Sequence, residues 1–504
     1  MSCSLVGSEM CIRDRIELSQ ASGRPLDAVA RRSPGAVISA IQVRTAMQDG
    51  VLIPWRKNRP EDTTTGWELL HADRGGLHLD PRPGLHVDVF ELDFASLFPS
   101  LIATRNISPE TLGCTCCAGS GQTSFVPLDP DEAKRWFRKR DVSQRLNPAP
   151  GSSPAALSVP GLELHTCLQH HGLLGRVVAP LIRRRSELKA QRTGPRDDAD
   201  RRQLALKWLL VTCFGYTGYR NARFGRIEAH EAICAWAREV MLEGIEAARA
   251  DGWDVVHGIV DSLWITDVSG RSNDERAVAA QRLADRLGAT TGIPLEVEGR
   301  YPVLAILPRR SDGAGALTKY WGCGLDEVKV RGIEARQHST SPFVKRFQKE
   351  TLEALRHHVL THGVDVEALE ALLLEAHDRA RTSLMNGRVP LVDLLVAQRV
   401  ERGLEERTVN TVLQRAMTRS SRLGWPVALG SRLRFVEVEG NEDGVLLAAE
   451  LDDGSSTRFR PALDVHVRRL DRAAWSLLAP FGWDLEPLRR PLGQGRLPVV
   501  RNVP

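Results

Sequence analysis

The stretch that most constrains this chain is Glu91 to Ser100, ELDFASLFPS. It begins as a strand: Val87, Val89 and Leu92 are apolar, and β-branched residues suit a pleated, half-buried surface. An acid, Asp93, stands where the apolar run ends, and a tight turn capped by Pro99 follows. A carboxylate at the end of a buried strand costs desolvation unless a cation or a donor meets it. An isolated Asp in this position reads as a helix cap. The alternative is a functional acid, and that reading requires partners elsewhere in the chain.

A chain of 504 residues holds two to four compact units. With 42% hydrophobic and 26% charged residues it has the composition of an ordinary globular protein. Lys and Arg exceed Asp and Glu by 68 to 63, an excess that fits nucleic acid only if the charge is clustered. No apolar run approaches the ~18 residues of a membrane span, so no membrane partner is expected. Nine Cys without a secretory signal point to a reducing compartment. The expected location is cytoplasmic and nucleoid-associated.

Along the chain, residues 1–15 (MSCSLVGSEMCIRDR) are too polar for a signal peptide and resemble translated adapter sequence. They are expected to lie outside the fold, with the true N-terminus missing. Residues 113–164 read as irregular, and Asn147 to Pro160, rich in Pro, Ser and Gly, as a loop. Cys114, Cys116 and Cys117 are separated by a long interval from His165 and Cys167. A zinc site would need these two clusters to converge, and the spacing matches no recognised finger, which favours plain buried thiols.

Helical periodicity returns from Leu173 to Gln191, with Arg185 and Lys189 four apart and therefore neighbours on one face. A second helix, Asp198 to Leu210, carries Lys207. A third spans 226–250, closed by Gly252. Two apolar runs around Asp261, in VVHGIVDSLWIT, predict a hairpin. Further helices are expected at Phe343 to Leu360, Val364 to Leu384 and Asp464 to Trp483, with β structure near 433–438.

Several of these segments together resemble family B DNA polymerases. Asp93 to Ser100, continuing into Asn106-Ile107-Ser108-Pro109-Glu110-Thr111-Leu112, is similar to the first catalytic motif (D-F-x-S-L-Y-P-S, then N-x-S-P-E-T-L). Arg185 and Lys189 match the R-x-x-x-K of the fingers helix. Lys207 through Gly225 resembles the second motif, with Val211, Thr212 and Phe214 standing for its Asn, Ser and Tyr. The hairpin resembles Y-G-D-T-D-S, with Ile259 at the first Asp and Asp261 at the second. Gly75-Gly76 is similar to the Y-x-G-G template-contact turn. Thr318 to Gly322 and Val328 to Ala335 resemble segments that contact primer–template near the thumb.

The resemblance implies an α+β right-hand polymerase core: an antiparallel-sheet palm, helical fingers and a mainly helical thumb, without an exonuclease domain. The implied boundaries are 16–85 for a linker and palm edge, 86–130 and 213–330 for the palm, 131–212 for the fingers and 331–504 for the thumb. It implies Asp93 and Asp261 as catalytic acids, holding two Mg²⁺ ions (Mn²⁺ as a substitute) together with the carbonyl of Phe94. Ser96, Leu97, Phe98, Arg185, Lys189, Lys207 and Val211 would meet the dNTP. Gly75, Gly76, Tyr216, Gly218, Lys319, Tyr320 and Arg331 would meet primer–template DNA. Other replication or repair proteins are possible partners.

The expected activity is template-directed addition of dNMPs to a primer 3′ end, slow or specialised because Ile259 and Val211 replace motif residues. The alternative is a catalytically weakened DNA-binding or scaffold protein of a replication or repair assembly. The altered motifs match a divergent archaeal-type paralogue group. A reverse transcriptase or RNA polymerase palm would share paired acids but not the Tyr216 to Gly225 run.

Overall fold

The computed structural model describes residues 5–53, 74–114, 116–117, 128–135, 156–194, 197–404, 411–452 and 459–484, with isolated positions between and beyond these. It divides into two compact units. The first comprises the described residues of Met1–His78, Leu92–Leu263 and Ser272–Val297; the second those of Leu79–Glu91, Trp264–Arg271 and Glu298–Pro504.

The first unit is mainly helical. Helix α1 (Leu5–Ser22) continues without a break across residue 15, and Arg13 pairs with Asp198 at 3.0 Å. Helix α2 (Leu26–Ala30) is short. Helix α3 (Pro34–Gln48) starts with Pro at its first position and Ser33 as its cap, the combination that satisfies a helix start. Strand β1 (Gly84–Phe94) leads through a turn into helix α4 (Leu97–Thr104), where Leu97, Leu101, Ile102 and Ala103 are all buried. Helix α5 (Leu173–Ala190) packs on α4, and helix α6 (Asp198–Thr217) packs on α5. Helix α7 (Ile227–Ala250) buries the stripe of Ala232, Ile233, Ala237, Val240 and Met241. Helix α8 (Asn273–Thr291) opens on a Ser272/Glu275 capping box and closes on Gly292 at φ 71°.

Arg105 is buried within this unit. It is 1% exposed, donates to Thr291 C=O at 2.9 Å and to Thr104 Oγ1 at 3.0 Å, and lies over the Trp236 ring. Burial pulls its guanidinium down to about 9, against the pull of Glu243.

Of the region read as irregular, residues 136–155 lie outside the described residues, but Ala156–Ser158 (β2) and His165–Cys167 (β3) form a two-stranded antiparallel ribbon. That ribbon brings Cys167 beside Cys114, Cys116 and Cys117. All four sulfurs lie within 4.8 Å of one another, so the two cysteine clusters converge, with Cys117 and Cys167 buried and Cys116 exposed.

Strands β4 (Trp253–Ile259) and β5 (Ser262–Asp267) make the expected hairpin. With β1, β6 (Leu295–Pro308), β7 (Gly315–Cys323) and β8 (Val328–Arg331), they form a sheet of order β4-β5-β1-β6-β7-β8. Strands β1, β5 and β6 contribute residues to both units. The β6–β7–β8 run is antiparallel, with Ala305 opposite Trp321 and Trp321 opposite Val330. Trp321, Val303 and Ala305 head the core of the second unit, which helices α9 (Pro342–His362) and α10 (Val366–Met385) complete. A second small sheet, β9 (Val396–Arg399), β10 (Arg432–Glu439), β11 (Val445–Leu447) and β12 (Arg460–Pro461), carries its own core with helix α11 (Val412–Arg422). Strand β10 covers the β structure expected near 433–438, and helices make up most of the regular structure in this part. Helix α12 (Leu463–Leu478) follows, and a 3₁₀ turn at Ala479–Phe481 ends the expected helix early at Pro480.

Within the second unit, Glu91 is 2% exposed and accepts from Lys329 Nζ at 2.5 and 2.6 Å and from the Tyr301 hydroxyl at 2.6 Å. Burial first, then the Glu91 carboxylate, pushes the Tyr301 phenol up, so it serves as a donor. Removing one partner of a buried ion pair leaves an uncompensated charge and costs about 3 kcal/mol. Lys329→Met is therefore expected to lower the midpoint of chemical unfolding by that amount, and Lys329→Met with Glu91→Gln by clearly less. Wild-type stability in the single variant would show that this pair carries no such role.

Candidate active site

The site grows from the end of β1. Asp93 is half-buried, and its Oδ2 accepts from the Ser262 hydroxyl at 2.8 Å. One residue on, the Phe94 N–H donates to the Asp261 carbonyl at 2.9 Å. Two acids 168 positions apart in the sequence are thus carried on segments joined backbone to backbone. Sequence reasoning selected both acids but missed Ser262 as the donor that meets Asp93. Its signal was its place directly after Asp261.

Asp261 sits in the β4–β5 turn, and the turn is clamped. Val260 N–H donates to Leu77 C=O at 2.8 Å, Ile259 pairs with His78 in an isolated antiparallel bridge, and Arg238 donates to Gly75 C=O at 2.8 Å. A Cβ added at Gly76 would meet the Val260 side chain at 3.4 Å. Gly75 and Gly76, expected to contact template, lie against this turn. Val260 has φ 58°, a left-handed conformation that a β-branched residue rarely adopts. Ser96, on the other side of Asp93, is also left-handed at φ 52°.

Ser96 begins helix α4 and accepts a hydrogen bond from Arg185 of α5. Arg185 is held from a second side by Gln203 Oε1 at 3.2 Å. Leu97 is buried. Phe98 stacks on Phe214 with centroids 4.3 Å apart, and Phe214 stacks on His230 at 4.5 Å. This three-ring column fixes the Phe98 ring, and no motif or spacing pointed to His230 in it.

Lys189 lies one turn beyond Arg185 and pairs with Glu296 at 2.7 Å, a partner 107 positions away that no local pattern announces. Helix α6 runs to Thr217 and not to the expected Leu210, so the altered second motif is helical. Lys207 and Val211 lie on its exposed face with Trp208, which is 65% exposed. Tyr216 and Gly218 pack within the first unit: a Cβ at Gly35 would strike the Tyr216 hydroxyl at 1.8 Å, and one at Gly218 would meet the His230 ring at 3.1 Å.

The remaining expected contacts belong to the second unit. Lys319 and Arg331 are exposed. Tyr320 is not: its ring is 4% exposed and sits edge-on to Trp264 at 5.7 Å. Burial pushes its phenol up, with Lys329 and Arg331 opposing. The expectation of a Tyr320 ring touching DNA is corrected to a core role.

Asp93, Asp261 and the Phe94 carbonyl are hard oxygen donors, of the kind divalent ions take, on segments joined by the Phe94 N–H to Asp261 C=O bond. The family model for DNA polymerase family B matches residues 28–468. The chain belongs to this family. Among curated family members it is 32% identical over 257 residues to DNA polymerase 2 of Saccharolobus solfataricus, covering 51% of this chain and 33% of that protein. It is 23% identical to a DNA polymerase of Archaeoglobus fulgidus, covering 90% of this chain and 51% of that one. The chain therefore spans a third to about half of the length of these relatives. The fold matches the family B DNA polymerase of Pyrobaculum calidifontis with a TM-score of 0.62 at 22% identity, over 94% of this chain and 54% of that one.

A left-handed residue with a Cβ costs roughly 1–2 kcal/mol, and Asn tolerates that conformation best after Gly. Val260→Asn is expected to raise stability by about 1 kcal/mol, read as the unfolding midpoint. A fall instead would mean that the valine's contact with Gly76 outweighs the strain.

Proposed function

We propose that this chain catalyses template-directed addition of dNMPs to a primer 3′ end, and does so slowly. The observation that carries the reading is the junction of the two acid-bearing segments, Phe94 N–H to Asp261 C=O at 2.9 Å with Ser262 on Asp93 at 2.8 Å. Membership in DNA polymerase family B supports it.

In this reading Asp93, Asp261 and the Phe94 carbonyl hold two divalent ions, Mg²⁺ by the hardness of the donors. The ions, when bound, lower the cost of charge on the attacking and leaving oxygens. The chain's own side chains do the rest. Arg185, oriented by Ser96 and Gln203, offers a planar fork to a phosphate; Lys189 and Lys207 offer point charges. Phe98, stacked on Phe214, is the ring that would exclude a ribose 2′-hydroxyl in this reading. Such positioning of reactants is the larger part of catalysis in phosphoryl transfer.

Ile259 makes the reading one of a slow enzyme. An acid about 5–6 Å from a cation, at an effective dielectric near 20, contributes on the order of 3 kcal/mol. Solvent recovers part of that, leaving a loss of roughly ten- to a hundredfold, since each ~1.4 kcal/mol is tenfold. Val211 removes an amide beside the substrate and affects positioning. A catalytically feeble DNA-binding protein is the competing reading, favoured by the same two residues.

Primer extension with Mg²⁺ and with Mn²⁺ separates them. Wild type is expected to extend slowly, Asp93→Ala and Asp261→Ala to abolish extension, and Ile259→Asp with Val211→Asn to raise it about tenfold or more. Absence of extension in folded wild type and in the double variant alike would assign the chain to the binding role.

A further inference from the structure

We propose that Cys114, Cys116, Cys117 and Cys167 hold one zinc ion in a closed tetrathiolate site. The four sulfurs lie within 4.8 Å of one another, and no disulfide joins them. Four of the separations are 3.3 Å (Cys114–Cys116), 3.8 Å (Cys116–Cys117), 3.7 Å (Cys116–Cys167) and 3.6 Å (Cys117–Cys167). A tetrahedron with Zn–S bonds of about 2.3 Å has sulfur–sulfur edges of about 3.8 Å. These separations are much longer than the ~2.05 Å of a disulfide bond. An iron–sulfur cluster places bridged irons between its ligands and spreads the sulfurs wider. The geometry fits a single tetrahedral ion.

The surroundings are built to hold this arrangement. Cys167 ends β3, its N–H donating to Thr111 C=O at 2.7 Å and its C=O accepting from Asn106 Nδ2 at 2.6 Å. Gly113 N–H donates to His165 C=O at 2.9 Å, pinning the start of the Cys114–Cys117 segment to the same strand. The His165 ring nitrogen stands 3.4 Å from Cys114 Sγ, and the Gln169 N–H donates to Cys167 Sγ at 3.4 Å. N–H donors of this kind around thiolate ligands are the outer contacts that orient and tune a metal centre. With four protein ligands the coordination is complete and leaves no open position, so the ion is structural. It would link the segment after α4 to the one that begins α5, closing a loop between residues 50 positions apart, Cys117 and Cys167.

The metal content of the chain does not depend on its activity, so this proposal and the polymerase reading fail separately. The full chain is purified under reducing conditions without chelator, and its metals are measured by mass spectrometry. Wild type is expected to carry about one zinc per chain, and the metal-stripped protein to give the intense visible bands of tetrahedral cobalt thiolate when titrated with Co²⁺. Cys116→Ser, at an exposed position, and Cys116→Ser with Cys167→Ser are expected to lose zinc, whereas Cys213→Ser, a buried thiol outside the cluster, keeps it. Any of four outcomes overturns the proposal: no zinc in folded wild type, iron with inorganic sulfide in its place, a disulfide among the four under these conditions, or zinc retained by the double variant. Should the double variant fail to fold, the wild-type content and Cys116→Ser decide.

Discussion

The structure depends on placing carboxylates along a buried strand. Strand β1 carries Asp88, Glu91 and Asp93 within eleven residues, and each acid would be costly there without a donor. Each receives one. Asp88 takes a two-pronged Arg300 at 2.8 and 3.2 Å, Glu91 takes Lys329 with Tyr301, and Asp93 takes the Ser262 hydroxyl. The two cationic partners anchor the strand. Asp93 is followed by Phe94, whose N–H is joined to the Asp261 carbonyl.

The helices and the hairpin were legible because their signals are local. The stripe of α7 and the two apolar runs around Asp261 act within a few residues, whereas α8, with its Ser272/Glu275 box, was not read from the sequence. The resemblance to family B selected Asp93, Asp261, Arg185 and Lys189 because they sit in short ordered motifs. What stayed hidden depends on distant pairing. Glu296, His230 and Gln203 reach the site's residues from other elements, and no spacing rule connects them. Tyr320 was misassigned because a motif gives residue type and order but not which face of a strand turns inward. The convergence of the cysteines at 114–117 with Cys167 was hidden for the same reason, since it accompanies the β2–β3 ribbon, which no local motif announces.

Rigid support surrounds the acids on several sides. The segment 75–78 holds the Asp261 turn, α4 starts at a left-handed Ser96, and the Phe98–Phe214–His230 column fixes an aromatic ring two residues farther on. Several of these supports are backbone hydrogen bonds or stacked rings, which lose less entropy than a long flexible side chain, and Arg238 on Gly75 C=O adds one of that longer kind. Sites held this way keep their geometry before any substrate arrives.

Lys189 has one further consequence. Its ammonium is already occupied by Glu296, an anion supplied by the chain itself. Any phosphate that takes Lys189 has to displace that carboxylate, so the glutamate acts as a resident competitor. The pair is 35% and 53% exposed, and ion pairs in such settings contribute roughly 0.2–1 kcal/mol. Displacement therefore costs an incoming anion no more than about fivefold in affinity. That is small enough to leave binding intact, and it taxes every incoming anion by the same modest factor.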